Sequence, residues 1–232
     1  MEPKVNNNSE EKMKPKLDLN AAQLRSFKYT EVRAQENSEE AEISGHAAVY
    51  NSRTTIGDCF DEIIMPGAFD ETDLSEVFLC VNHQIESQLP LAKQGIARGK
   101  DDTLKVVPDE KGLKVDAKLD IKNNVFASAL YSNVKRGIND TMSLMFWVDK
   151  EEWDDLDSDR PLRRILKISK VLEVSVVNLA AYKATEINAR GGLFVEANKH
   201  ALENARNLRS AQLAKERELE LYKAKIRIQY GG

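Results

Sequence analysis

The sequence has little cysteine, little histidine and few aromatic residues. Its 232 residues include two cysteines, three histidines and 6 % aromatic residues. Cys59 and Cys80 show no CxxC spacing and no histidine cluster accompanies them, which argues against a cysteine-based zinc site. No apolar run approaches the roughly 18 residues that a bilayer-spanning helix needs, and the polar N-terminus lacks the apolar core of a secretory signal. We therefore expect an intracellular chain with reduced thiols and no membrane partner.

Neither sign of charge is in large excess. The chain has 34 lysines and arginines against 38 aspartates and glutamates, for a net charge of -4. Nucleic-acid-binding domains usually carry a basic patch, so we expect no nucleic-acid partner. Hydrophobic residues make up 41 % of the chain and charged residues 31 %. This composition and length favour one sizeable soluble domain with polar appendages, or two small domains.

Changes in composition divide the chain into three parts. Residues 1–22 are polar, with an asparagine run, and are predicted to be disordered. Residues 23–190 contain short alternating runs, such as FKYTEVRA and EISGHAAVYN, that are typical of strands separated by turns. Residues 191–232 form a tail that is free of proline and predicts one long helix.

Helical patterns are few. Residues 123–137, NNVFASALYSNVKRG, predict an amphipathic helix capped by Asn123 or Asn124 and ended by Gly137. Its expected apolar stripe is Val125, Phe126, Ala129, Leu130 and Val134. A short helix is also expected around FDETDLSEV, and an acidic loop over residues 149–161. The tail helix has a thin stripe that should need a partner surface: Ala201, Ala205, Leu208, Leu213 and Leu219.

Three polar residues interrupt apolar runs and are the candidate functional residues. Ser143 lies in TMSLMFWV, Glu173 lies in KVLEVSVVNL, and His83 follows the apolar strand VFLCV. A buried hydroxyl costs about 1–3 kcal/mol unless it is hydrogen-bonded, and glutamate is almost never fully buried unless it is paired. The structural explanations are a serine bonded to backbone, a salt bridge from Glu173 to a residue such as Arg163, and a structural histidine. The functional explanation is a carboxylate that orients an imidazole beside a serine nucleophile.

Other residues compete for these roles. Ser175 lies two residues from Glu173 on the same strand face, about 7 Å away, and is the alternative nucleophile. His46 is an alternative third member of such a set. The sequence has no GxSxG motif, which argues against an α/β-hydrolase. A two-carboxylate site is a further alternative, in what looks like an exposed loop, at Asp58, Asp61 and Glu62.

The order of several short motifs resembles the prohead maturation proteases of tailed bacteriophages. The motifs are GHAAVYN, DEIIMPGAF, FLCVNHQ, GLKVDAKL, MSLMF and LEVSVVNLAAYKATE, and together they extend from about Phe27 to Arg190. That family is similar in fold to the herpesvirus assemblins. The resemblance therefore implies an α+β fold, with an antiparallel β-barrel of serine protease type and surrounding helices, followed by the long C-terminal helix.

The resemblance also implies roles for individual residues. Ser143 matches the family's nucleophile, His83 its general base and Glu173 its acidic third member. A serine protease needs backbone N–H groups that bind the oxyanion, and we expect them in the turn after Val177. The expected donors are Ala180, Ala181 and Tyr182. No cofactor or metal is required for this chemistry.

The biological role that the resemblance implies is cleavage of the major capsid protein and the scaffold protein. The site of action would be the immature phage capsid, the prohead, in the host cytoplasm. The tail helix is expected to mediate packaging or self-association, so a homo-oligomer is expected. Both polar termini, including the tail helix, are candidates for self-cleavage.

Two departures from the family pattern leave an alternative open. Met145 stands two positions after the serine, where the family commonly has a small residue, and Leu179 to Tyr182 replace its Pro-Ala-Tyr. Both lie near the expected substrate cleft and would alter cleavage preference or weaken the enzyme. The alternative is a weak or inactive protease-like scaffolding factor in capsid assembly. A small β-barrel binding module would need an aromatic or basic groove, and the sequence has none in view.

Overall fold

The computed structural model describes residues 22–27, 33–36, 41–57, 59–85, 87–96, 101–178 and 189–230. Most of the segment predicted to be disordered, residues 1–21, therefore lies outside the described residues. The described part contains eleven strands and two helices. The strands are β1 Gln23–Phe27, β2 Arg33–Glu36, β3 Ala41–Val49, β4 Thr54–Ile56, β5 Phe60–Ile64, β6 Val77–Val81, β7 Ala92–Gln94, β8 Leu104–Pro108, β9 Gly112–Leu119, β10 Thr141–Asp154 and β11 Leu162–Val177. The helices are α1 Val125–Lys135 and α2 Ala189–Tyr230.

The larger sheet has seven strands and is built around a long antiparallel hairpin of β10 and β11. β1 pairs antiparallel with the other edge of β10. β11 pairs in parallel with β5 along Leu162–Ile165 and with β6 along Glu173–Val176. β4 extends the sheet beyond β5, and β7 extends it beyond β6. The two halves of β11 therefore support different strands.

The smaller sheet is antiparallel, with the order β2-β3-β9-β8. The pairing of β3 with β9 shifts register between His46 and Ala48. One cluster of buried apolar side chains joins this sheet, the larger sheet and α1, with members such as Ile43, Val115, Leu130, Leu144 and Val174. This core holds the strands that carry the candidate site.

The predicted closed antiparallel barrel is wrong. The described strands form two separate sheets, and β11 makes two parallel pairs. Alternation of apolar and polar residues predicts that a strand has one buried face, but not which strand lies beside it. Two facing sheets bury such faces as well as a barrel does. The described fold is mixed α+β, mostly sheet, with a long C-terminal helix.

The helix α1 is confirmed, and its predicted apolar face is right at Leu130 and Val134 but wrong at the other three positions. Asn124 caps its start, because the Asn124 side chain accepts hydrogen bonds from the backbone N–H groups of Phe126 and Ala127 at 3.0 and 3.3 Å. Val125 and Phe126 are 73 % and 66 % exposed. The buried positions keep the regular i, i+3, i+4, i+7 spacing of one helix face. They are Ala127, Leu130, Tyr131 and Val134.

Two further expectations are corrected. The segment FDETDLSEV forms turns rather than a helix. Asp73 forms an isolated β-bridge with Lys170 of β11, and Lys170 Nζ lies 2.9 Å from Asp73 Oδ2. The predicted acidic loop begins later, because β10 continues to Asp154. Arginines on β11 neutralise its acidic residues: the Arg164 guanidinium lies 2.8 Å from the Asp154 carboxylate. Cross-strand ion pairs of this kind stabilise a strand whose composition alone suggests a loop.

The predicted tail helix is confirmed as α2, which spans 42 residues. Its residues 198–209 contact the domain: Leu202 packs with Phe60 and Leu156, and Arg206 Nε donates to the Leu156 carbonyl oxygen at 3.0 Å. From residue 210 to residue 229 every side chain is exposed. Neither of the two described helices combines the length and apolarity that crossing a membrane requires.

Candidate active site

The turn after β6 places His83. Asn82 and His83 both have positive φ, 51° and 58°. This conformation is uncommon for residues other than glycine, and asparagine adopts it more readily than most. The turn is tied to the end of β11: Asn82 N–H donates to the Val176 carbonyl oxygen at 3.1 Å, and Asn82 Oδ1 accepts from Asn178 N–H at 2.9 Å. His83 therefore lies against β11, where its own N–H donates to Ser175 Oγ at 3.1 Å.

The pairing of β10 with β11 places Ser143 and Glu173 on one face of the sheet. Ser143 is directly opposite Ser175, and Met145 is directly opposite Glu173. Directly opposed residues share a face, and so do residues two apart on one strand. Ser143 and Glu173 are both fully buried, whereas the His83 side chain keeps 13 % of its surface exposed. The histidine is thus the member of the set that meets solvent.

The structure brings the three predicted side chains into one hydrogen-bonded chain. His83 Nε2 lies 2.7 Å from Ser143 Oγ, and His83 Nδ1 is hydrogen-bonded to Glu173 Oε1. A carboxylate can only accept, so Nδ1 carries the proton and Nε2 presents its lone pair to the serine. This arrangement can take a proton from the hydroxyl and hold the resulting imidazolium beside a negative charge.

The buried carboxylate of Glu173 has further donors. Ser175 Oγ donates to Glu173 Oε2 at 2.8 Å. Burial, the negative charge of Glu173 and a hydrogen bond to it raise the pKa of the Cys80 thiol far above its ordinary value. Cys80 is therefore a protonated donor rather than a thiolate nucleophile. The salt bridge from Glu173 to Arg163 is not formed, since Arg163 pairs with Glu62 and Glu151.

Ser175 is positioned by contacts that differ from those of Ser143. Its hydroxyl bonds to Glu173 and to the His83 backbone rather than to His83 Nε2. We expect Ser175→Ala to lower kcat for peptide hydrolysis by about 10- to 100-fold, because one hydrogen bond to a charged group is lost while the nucleophile remains. Ser169→Ala, an exposed position on the same strand, is the matched control and should leave kcat unchanged. Loss of all activity in Ser175→Ala, with activity kept in Ser143→Ala, would make Ser175 the nucleophile.

The remaining sequence candidates lie elsewhere. His46 is on β3 of the smaller sheet, where its Nε2 lies 2.9 Å from Asp109 Oδ2. Asp61 and Glu62 were expected in an exposed loop, but they lie on β5 and are 7 % and 1 % exposed. Neighbours on a strand point to opposite faces, so these carboxylates do not form a pair. Four predicted site residues lie outside the described residues: Asp58, Ala180, Ala181 and Tyr182.

Sequence reasoning missed a buried charged cluster on the opposite face of the sheet from Ser143, where Arg25 is directly opposite Leu144. Arg25 Nη2 donates to Glu62 Oε2 at 2.7 Å, and Arg163 Nη1 donates to the same oxygen at 3.0 Å. Burial alone would raise the pKa of Glu62, but the two guanidinium groups outweigh it and hold that pKa below its ordinary value. Both arginine side chains are 2 % exposed. The sequence feature that could have revealed this cluster is the presence of charged residues inside the strands QLRSF, FDEII and LRRILKI.

The same strand brings a peptide group to the serine. Ser143 Oγ lies 2.9 Å from the carbonyl oxygen of Arg25. A hydroxyl has one proton, so Ser143 donates either to this carbonyl or to His83 Nε2, but not to both.

Comparisons with known proteins identify the family of this chain. The family model described as caudovirus prohead serine protease matches residues 28–200, which include Ser143, His83 and Glu173. Among solved structures, the capsid assembly protease gp21 of bacteriophage T4 is similar at a TM-score of 0.42 and 9 % identity. That alignment covers 68 % of this chain and 99 % of the other. The search of curated proteins found no match. On the extent of the family match, this chain belongs to the caudovirus prohead serine proteases.

Proposed function

We propose that the chain is a serine endopeptidase that cleaves the major capsid protein and the scaffold protein during prohead maturation. The observation that carries this proposal is the chain of hydrogen bonds from Glu173 through His83 to Ser143. Membership of the prohead protease family supports the substrate class and a place of action inside the prohead, in the host cytoplasm.

The proposed chemistry follows from the positions of the side chains. Ser143 Oγ attacks the substrate carbonyl carbon while His83 Nε2 takes its proton, and His83 then protonates the leaving amine. Water hydrolyses the acyl-enzyme by the same route in reverse order. Glu173 fixes the tautomer of His83 and stabilises the imidazolium. The oxyanion donors remain proposed at Ala180, Ala181 and Tyr182, which follow β11 in the sequence.

The test is co-expression with the cognate capsid protein, followed by intact mass measurement of both proteins. We expect the wild-type chain to shorten the capsid protein, and Ser143→Ala to leave it at full length. Ser132→Ala, at an exposed position of α1, is the matched control and should cleave normally. A fluorophosphonate probe should label Ser143 in the wild-type chain. Unchanged cleavage by Ser143→Ala would refute the proposal.

A structural role in capsid assembly is the second candidate. The observation that favours it is the exposed distal part of α2, where apolar side chains such as Leu213, Leu219 and Ile228 are 51–86 % exposed. Such a helix is suited to packing against another chain, including a second copy. The structural role would be favoured if capsid shells form only when the chain is present, and if the Ser143→Ala variant allows the same shell formation without any cleavage.

A further inference from the structure

Strand β1 lies directly beside the serine. It pairs antiparallel with β10, so that Leu24 opposes Met145, Arg25 opposes Leu144 and Ser26 opposes Ser143. The family match begins at residue 28, immediately after β1 ends. The strand therefore lies outside the part of the chain that the family model accounts for.

The edge of β10 holds an extended segment, β1, through antiparallel strand pairing. In the sheet order β1-β10-β11-β5-β4, removal of β1 leaves β10 as an edge strand with unpaired N–H and C=O groups. Such an edge accepts an extended segment through main-chain hydrogen bonds, and side-chain pockets supply the selectivity. Here the edge runs past the nucleophile, so a peptide that binds to it presents one particular peptide bond to Ser143.

That peptide bond is the one between Arg25 and Ser26. The Arg25 carbonyl oxygen is 2.9 Å from Ser143 Oγ, and Oγ is in turn 2.7 Å from His83 Nε2. In this arrangement the serine hydroxyl contacts both the base and a carbonyl oxygen. Proton donation to the carbonyl describes a resting arrangement, and donation to Nε2 describes the reactive one.

The side chain of Arg25 fills a pocket that suits a guanidinium group. Two of its nitrogens donate to the two oxygens of Glu62, and Nη2 also lies 3.1 Å from Asn198 Oδ1 of α2. The cluster balances Arg25 and Arg163 against Glu62 and Glu151. Without Arg25 it has one excess negative charge. An empty pocket would therefore favour a cationic side chain, and a planar bidentate one most strongly.

The residue before Arg25 has a different environment, as the alternation of a strand requires. Leu24 packs beside Ala22, Met145 and Trp147. Met145 is one of the departures from the family pattern, and its side chain lines this apolar contact. The β10 edge thus offers an apolar contact for Leu24 on the face of Ser143, and a pocket with a carboxylate for Arg25 on the opposite face of the sheet.

Building on the proposed function, we propose that the β10 edge and Glu62 form the substrate groove and that this groove selects arginine on the acyl side of the scissile bond. In this structure the groove is occupied by β1, which is a substrate that the chain itself carries. In this reaction Ser143 Oγ forms an ester with the Arg25 carbonyl carbon, and the bond from that carbon to the Ser26 nitrogen breaks. The amine of Ser26 leaves with the proton held by His83. Water then hydrolyses the ester, which frees Ser143 and leaves a carboxylate on Arg25.

Self-cleavage is tested on the full chain, co-expressed with its capsid protein, by intact mass and N-terminal sequencing. We expect a product that begins at Ser26 in the wild type, and none in Ser143→Ala. Arg25→Glu should abolish this product, because a second carboxylate would face Glu62. Arg136→Glu, the same charge reversal at the exposed end of α1, is the matched control and should be cleaved. Capsid cleavage that depends on Ser143 without any product beginning at Ser26 would overturn this inference and leave the proposed function standing.

Selectivity is tested with the processed enzyme and two peptides, Ala-Gln-Leu-Arg-Ser-Phe-Lys and its analogue with leucine in place of arginine. We expect kcat/KM to favour the arginine peptide, and Glu62→Gln to reduce this preference by about 10- to 100-fold, the range for one charged hydrogen-bonded contact. The ratio of the two peptides cancels any general loss of folded enzyme. A ratio near one in the wild type, or one unchanged by Glu62→Gln, would refute the assigned role of Glu62. Hydrolysis that persists in Ser143→Ala would instead refute the proposed function.

Discussion

Replacement of His83 by alanine is expected to lower kcat for peptide hydrolysis by about 10⁶-fold, the loss seen when the base of such a catalytic set is removed. The reason is that serine at neutral pH is a poor nucleophile until a base takes its proton, and His83 Nε2 is 2.7 Å from Ser143 Oγ. The measurement is kcat for a peptide substrate at saturating concentration, with thermal unfolding recorded in parallel. Residual activity within tenfold of the wild type would contradict the role of His83.

His46→Ala is the matched control for this prediction. His46 was an alternative member of the catalytic set, but it lies on β3 with Asp109 as its partner. Like His83→Ala, this variant removes one histidine side chain, but we expect it to leave kcat unchanged. If His46→Ala and His83→Ala lowered kcat equally, the hydrogen-bonded chain described here would not be the catalytic one.

The candidate site could be predicted because polar residues in apolar strands are costly. Ser143 and Glu173 were identified by their apolar neighbours, and both are fully buried. His83 was identified by its place at the end of an apolar strand, and the structure places it between them. The local sequence was therefore enough to identify the three residues as candidates, because burial of an unpaired carboxylate or hydroxyl is unfavourable whatever the fold.

The arrangement of strands could not be predicted in the same way. The alternation of β3 and β9 indicates strands, but it leaves open which strands pair with them. The parallel pairs of β11 and the two open sheets are results of that long-range choice. The cluster of Arg25, Glu62 and Arg163 was missed for the same reason, since its members are up to 138 residues apart in the chain and meet only after β1 and β5 have joined the sheet.

The position of β1 shows what the side chain of Met145, a departure from the family pattern, contacts. Met145 lies two residues after Ser143, on the same face, and is directly opposite Leu24. In the proposed groove, a larger side chain at this position narrows the space beside the nucleophile and adds apolar contact for Leu24. We therefore expect Met145 to alter cleavage preference rather than to abolish activity.

Glu173→Gln is expected to lower kcat by about 10⁴-fold, the loss found when the carboxylate of such a set becomes an amide. Glu173 accepts hydrogen bonds on both oxygens, from His83 and from Ser175. A glutamine has one acceptor oxygen and one NH₂ group, so one of the two donors would face another donor. If the NH₂ group faces His83, the proton of the imidazole moves to Nε2, which can then no longer accept the proton of Ser143.

The measurement that checks this is the pH dependence of kcat and KM for the same peptide, with Glu71→Gln, an exposed carboxylate, as the matched control. A change of tautomer should lower kcat strongly and leave KM nearly unchanged, because Glu173 is fully buried and does not line the peptide site that we propose at the β10 edge. Thermal unfolding should be affected little, since the change also removes the cost of burying a charge. A loss of stability together with unchanged kcat in the folded fraction would show that Glu173 only supports the core, and would leave His83 without an orienting carboxylate.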